Sequence, residues 1–180
     1  MKCLVMGIVN VTPDSFSDGG QFFRPEEAVR RALNLIDDGA DIIDLGGEST
    51  KPGATPIGWE EEWSRIEPVL AALLGQRTSP SVDAVVSIDT YHPETAERAI
   101  AAGAKIINCV YPEPIPQMHE LCASTGAELV MPASCLPPPT TNHQPPRIYL
   151  DPMIGFGTTR EEDLARLRSI PELAKKGRVL

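Results

Sequence analysis

The sequence predicts an α/β protein of the TIM-type (β/α) barrel kind, incomplete, with six strand–helix units and the start of a seventh strand within 180 residues. Two observations predict it. Short apolar, β-rich runs alternate with segments of helical periodicity, and that alternation implies a parallel sheet, because parallel strands need crossover connections. Asn10, the run 44–50, Asp89, Asn108 and Asp151 then fall at or just after the C-terminal ends of predicted strands from five different units. A barrel builds its active face there. A doubly wound open sheet would gather its ligand groups at one switch point instead.

The first strand is read at residues 4–9. A helix follows at 25–38, opened by Pro25, with Glu26 and Glu27 at the positive end of its dipole and Ala28, Val29, Ala32, Leu33, Leu35 and Ile36 near helical spacing. Gly39 closes it. The remaining strands are read at 40–47 (ADIIDLGG), 84–89 (AVVSID), 104–110 (AKIINCV), 127–133 (AELVMPA) and 147–152 (RIYLDP), with helices at 59–74, 93–102, 116–125 and 160–176. Gly103 and Gly126 stand where left-handed C-caps belong. GRVL at 177–180 reads as the start of the seventh strand. Between the fifth and sixth strands, SCLPPPTTNHQPP is dense in proline and lacks helical periodicity, so that crossover is read as a loop. One domain over 1–180 is expected.

Composition narrows the function. With 42% hydrophobic residues the chain can bury a core, and a net charge of -9 gives no basic footprint for nucleic acid or anionic membranes. An anionic substrate must be held by local groups or a metal. No apolar run reaches the roughly 18 residues of a membrane-spanning helix. The four cysteines lack paired zinc-site spacing and no secretory leader precedes the first strand, which points to a reduced cytoplasm. The stretch MGIVNVTPDSFSDGG (6–20) runs from a strand into hydroxyls, glycines and the carboxylates of Asp14 and Asp18. That mixture suits a loop closing over a phosphate bridged by Mg2+, although the same residue types also make an ordinary turn. GGESTKPGA (46–54) repeats the style with Ser49, Thr50 and Lys51.

Asp89, Asn108 and Asp151 each end an apolar strand. Singly, each also suits the N-cap of a following helix. Together, buried polar strand ends imply a ligand with several donors, such as an amino-pyrimidinone edge. His92, His119 and His143 are read as solvated, Trp59 and Trp63 as helix packing, and the acidic residues 60–62 as a solvated first helical turn.

These motifs, with SIDT (87–90), IIN (106–108) and LDPMIGFG (150–157), occur in the order and spacing of dihydropteroate synthase, and the chain resembles the first two-thirds or so of that family. The resemblance implies a barrel that condenses 6-hydroxymethyl-7,8-dihydropterin diphosphate with p-aminobenzoate, releasing pyrophosphate with Mg2+ assistance, in a family inhibited by sulfonamides. By position, it implies Asn10 as the metal-linked residue, Thr50 as the diphosphate contact, and Asp89, Asn108 and Asp151 as the pterin grip. Met131 matches an apolar pterin contact and Phe156 the aromatic near the aminobenzoate; Asp14 and Asp89 would stabilise a cationic pterin methylene. Two positions depart from the pattern, Thr158 where the family has Lys and Cys109 where it usually has Asp. The family's late Lys, Arg and His match nothing before Leu180, so weak or absent turnover by this chain alone is expected. The alternatives to a synthase are a non-catalytic pterin-binding or assembly module and a pterin-dependent methyltransferase relative. The expected partners are small-molecule substrates, with a homodimer or a completing partner chain as the assembly.

Overall fold

The computed structural model describes residues 3–12, 25–49, 54–75, 84–135 and 146–180. It divides into two compact units, Met1–Ile106 and Ile107–Leu180.

In the first unit, strands β1 (Met6–Asn10), β2 (Ile42–Gly46) and β3 (Val85–Asp89) pair in parallel in chain order. Helices α1 (Pro25–Asp37), α2 (Trp59–Gly75) and α3 (Pro93–Ala102) make the crossovers that parallel pairing demands. α1 packs on β1 at Gly7, where a side chain would meet Leu35 at 3.1 Å. Gly7 therefore faces the helices, and by strand alternation Met6, Ile8 and Asn10 face the other way. α2 buries Ile66, Val69, Leu70 and Leu73, one stripe at helical spacing, and lies against both α1 and α3. α3 ends as expected at Gly103, whose φ of 119° lets its N–H reach the Ala99 and Ile100 carbonyls.

Strand β4 (Ile106–Asn108) crosses the division between units and is shorter than its apolar run suggested. In the second unit, β5 (Glu128–Pro132), β6 (Ile148–Asp151) and β7 (Arg178–Val179) pair in parallel in chain order. The GRVL end does enter the sheet. α4 (Ile115–Thr125) packs on β5 and ends at Gly126, φ 78°. α5 (Arg160–Leu173) starts with a capping box in which the Thr159 side chain and Glu162 hold each other's backbone N–H groups, and it buries none of its residues. After one 3-10 turn at Ala133–Cys135, four of the crossover's prolines, Pro137, Pro138, Pro139 and Pro145, lie outside the described residues.

Three expectations about polar residues are corrected, and the first is His92, whose side chain is 18% exposed rather than solvated because its ring packs beside the Ile57 carbonyl and Glu48. His119 is 4% exposed rather than solvated, because it shares the buried stripe of Ile115, Met118 and Cys122 on α4. Glu62 is 1% exposed, since it stands four residues before Ile66 and so begins the buried stripe of α2 instead of the solvated turn. His143 lies outside the described residues.

Candidate active site

The strand register of the first unit sets Asn10 beside Gly46 and Gly46 beside Asp89. All three residues end their strands and share one face. An ideal Cβ built on Gly46 would lie 3.5 Å from Asn10 Oδ1 and 3.5 Å from Asp89 Oδ2. The missing side chain is thus the gap onto which an amide oxygen and a carboxylate oxygen converge. One layer below, the row Ile8, Asp44 and Ser87 has a different character: Asp44 and Ser87 are buried, whereas Ile8 is 63% exposed.

Behind this row stands a second polar group that residue-type reading missed. Glu62 accepts the Thr90 hydroxyl at 2.7 Å, and Thr90 Oγ1 in turn accepts the His92 N–H at 3.0 Å. Burial pushes the Glu62 carboxyl above the usual range, against the hydroxyls of Thr95 and Thr90 and the neighbouring His92, which pull it down; Glu48 adds to the rise. Glu48 accepts the Tyr91 hydroxyl at 3.0 Å and the Ile57 N–H at 3.5 Å. The helical spacing of Glu62 with Ile66, Val69, Leu70 and Leu73 was the available signal.

In the second unit, Asn108 ends β4 and is buried. Met131 is fully buried and registers with Leu150, one position before the Pro132–Asp151 pair. Asp151 Oδ1 accepts the Met153 N–H at 2.6 Å, closing a turn in which Met153 takes φ 59°, a value that strains a side-chain-bearing residue. Phe156 is 48% exposed, between Gly155 and Gly157, both at positive φ. α5 holds this loop from its first turns. Asp163 accepts the Gly155 N–H at 2.9 Å and the Thr158 hydroxyl, and Arg166 donates to the Met153 carbonyl. Thr158 thus has a bond of its own to α5. Cys109 is buried, and burial, with Cys109 next in weight, pushes the Cys122 thiol up to about 12, so Cys122 stays an inert thiol.

Of the residues singled out in the sequence, Asn10 and Asp89 are brought together around Gly46. Asn108, Met131, Asp151 and Phe156 lie in the second unit. Asp14 and Thr50 lie outside the described residues. Mg2+ takes hard oxygen ligands and is often held by one or two protein groups plus substrate phosphates. The Asn10 amide oxygen, with a carboxylate across the gap, fits that donor set.

The profile of a family described as pterin binding enzyme matches residues 6–147. Dihydropteroate synthase of Bacillus subtilis is 37% identical over 191 residues, covering 94% of this chain and 65% of that protein. Among solved structures, Xanthomonas albilineans dihydropteroate synthase with 4-aminobenzoic acid is 35% identical with a TM-score of 0.82, covering 98% of this chain and 71% of that one. Anaplasma phagocytophilum dihydropteroate synthase with bound 6-hydroxymethylpterin-monophosphate is 33% identical with a TM-score of 0.80, covering 98% and 77%. The chain therefore spans about two-thirds to three-quarters of these proteins. With a family match over residues 6–147 and relatives that share its sequence and its parallel α/β fold, the chain belongs to the dihydropteroate synthase family.

Proposed function

We propose that the chain carries the pterin-binding part of a dihydropteroate synthase, which condenses 6-hydroxymethyl-7,8-dihydropterin diphosphate with p-aminobenzoate to give dihydropteroate and pyrophosphate. The observation that carries this reading is the convergence of Asn10 and Asp89 oxygens on the gap at Gly46, at the strand ends where the family match runs. The ligands named for the Xanthomonas and Anaplasma relatives, 4-aminobenzoic acid and a pterin monophosphate, support the same two substrates.

In this reading the Asp89 carboxylate accepts hydrogen bonds from the pterin and faces the positive charge that develops on its methylene as diphosphate departs. Asp14 shares that role and Thr50 holds the diphosphate. Asn108 and Asp151 offer further polar partners to the heterocycle, Met131 an apolar contact, and Phe156 an aromatic surface for p-aminobenzoate. The amine of p-aminobenzoate attacks the methylene carbon, so no covalent intermediate with the protein is required. Asn10 would hold Mg2+, which when bound supplies charge neutralisation for the leaving diphosphate. Four free thiols, at Cys3, Cys109, Cys122 and Cys135, support a reducing compartment such as the cytoplasm. A homodimer or a completing partner chain is the proposed assembly, which sedimentation tests directly.

The test is formation of dihydropteroate by the purified chain from both substrates, with and without Mg2+, beside calorimetric titration with 6-hydroxymethylpterin monophosphate. Product that depends on Mg2+ and falls at least tenfold in Asp89→Asn supports the synthase reading. Binding without product would assign this chain the pterin pocket only. Absence of both would overturn the proposal.

A further inference from the structure

The chain turns that follow Gly46 and Asp89 rest on the same few residues of α2. Glu62 receives the Thr90 hydroxyl, and Thr90 receives the His92 N–H, so the backbone leaving Asp89 is pinned through two consecutive bonds of 2.7 and 3.0 Å. On the other side, Gly47 lies so close to Glu62 that a Cβ there would stand 2.9 Å from Glu62 Cγ. Arg65 donates to the Gly47 carbonyl at 2.8 Å. Glu48 and Tyr91 join the two turns directly, and His92 Nε2 lies 3.2 Å from the Ile57 carbonyl and 3.8 Å from Glu48 Oε2. A buried carboxyl costs desolvation that an apolar residue of similar size would not. What the carboxyl does that a leucine cannot is accept the Thr90 hydroxyl.

We infer that Glu62 is a positioning residue: through Thr90 it fixes the direction in which Asp89 leaves β3, and through Gly47 it ties that direction to the loop after β2. The inference rests on the reading of Asp89 as a pterin contact, and its test separates the two. The full chain is compared as wild type, Glu62→Leu, Glu62→Gln, Thr90→Val, Asp89→Asn and Leu73→Ala, the last a core truncation further along the buried stripe of α2. Each variant is followed by thermal melting, by hydrogen exchange at the His92 amide and by titration with 6-hydroxymethylpterin monophosphate.

Glu62→Leu is expected to weaken pterin binding about tenfold, the middle of the range for residues in one hydrogen-bonded network. It should also speed exchange at His92. Glu62→Gln, which keeps an acceptor for Thr90, should recover most of both effects, and Leu73→Ala should lower the melting temperature without moving either. Adding Glu62→Leu to Asp89→Asn should cost no further affinity, since the first acts through the second. Equal affinity losses in Glu62→Leu and Leu73→Ala, multiplicative losses in the double variant, or unchanged exchange at His92 would each overturn the inference. Wild-type affinity in Asp89→Asn overturns the function reading instead, while the His92 exchange still tests the brace. Should Glu62→Leu not melt cooperatively, Thr90→Val, which removes both the bond to Glu62 and the acceptor of the His92 N–H, should weaken pterin binding and speed His92 exchange at least as much, and unchanged affinity there would overturn the inference.

Discussion

Gly46 and Gly47 are neighbours in the chain, yet a methyl group added to each meets opposite surroundings. On Gly47 the new carbon would lie 2.9 Å from Glu62 Cγ, 3.0 Å from the Glu62 carbonyl oxygen and 3.0 Å from Ile66 Cγ1. Carbon contacts are optimal at roughly 3.5–4.0 Å, so all three overlap, and one partner is backbone that cannot rotate away. Overpacking of this kind costs about 1–3 kcal/mol, and the fixed carbonyl argues for the upper half of that range. For a chain of this size each kcal/mol lowers the melting temperature by roughly 2–4 °C, so Gly47→Ala should melt about 4–12 °C below wild type. On Gly46 the nearest atoms are at 3.5, 3.5 and 3.7 Å, which is ordinary contact. There the loss of glycine's freedom in the unfolded chain contributes about 0.4–1 kcal/mol, which leaves the melting temperature at or slightly above wild type. The methyl would sit between the Asn10 and Asp89 oxygens and block them. Gly46→Ala should therefore bind 6-hydroxymethylpterin monophosphate at least tenfold more weakly, about 1.4 kcal/mol. Circular-dichroism melts and calorimetric titration of both variants settle the matter. A Gly47→Ala chain that melts with wild type, or a Gly46→Ala chain that binds as wild type does, would refute the geometry on which the site rests.

Three further outcomes follow from the same structure. Burial raises the Glu62 carboxyl above its ordinary value of 4.5, with His92 from the N-cap of α3 and Glu48 from the loop after β2 as the facing titratable groups. Below that value both folded and unfolded chains hold the proton; as pH rises the unfolded chain releases it first, so stability falls until the folded carboxyl ionises too. Melting across pH 4–7 should show Glu62→Gln gaining on wild type as pH rises above about 4.5, and a constant difference would contradict the assignment. Thr159→Ala removes half of the α5 capping box and should cost about 1 kcal/mol. Because α5 buries no residue, hydrogen exchange of its amides should then speed roughly fivefold while those of β5 stay protected. Met153→Gly relieves a left-handed residue and should hold or raise the melting temperature, whereas Met153→Val, β-branched at φ 59°, should lower it through a loss of more than about 1 kcal/mol of stability.

Much of the architecture was legible because it depends on local signals. Gly103 and Gly126 marked two helix ends, and the 93–102 helix falls where Pro93 and Gly103 set it. β4 was read too long, since AKIINCV is apolar throughout while only Ile106–Asn108 pairs as a strand. Reading by residue type failed at His119 and Glu62, where spacing along the helix outweighs polarity. Asn10 and Asp89 were legible as polar strand ends. Their convergence on Gly46 was not, because it depends on strand register across residues far apart in the chain. The Glu48–Tyr91 bond spans 43 positions and leaves no trace in either local stretch.

The close fit of Gly47 on Glu62 and the bond from Glu62 to Thr90 also set the grain along which this protein can be recombined with its relatives. A crossover placed between the loop after β2 and the start of α2 would pair a foreign Glu62 stem with a native Gly47. One placed between α2 and β3 would leave the Thr90 hydroxyl facing a foreign acceptor. Chimeras should keep their fold only when residues 46–66 and 89–95 come from the same parent, so the inheritable block here is two sequence segments that must travel together.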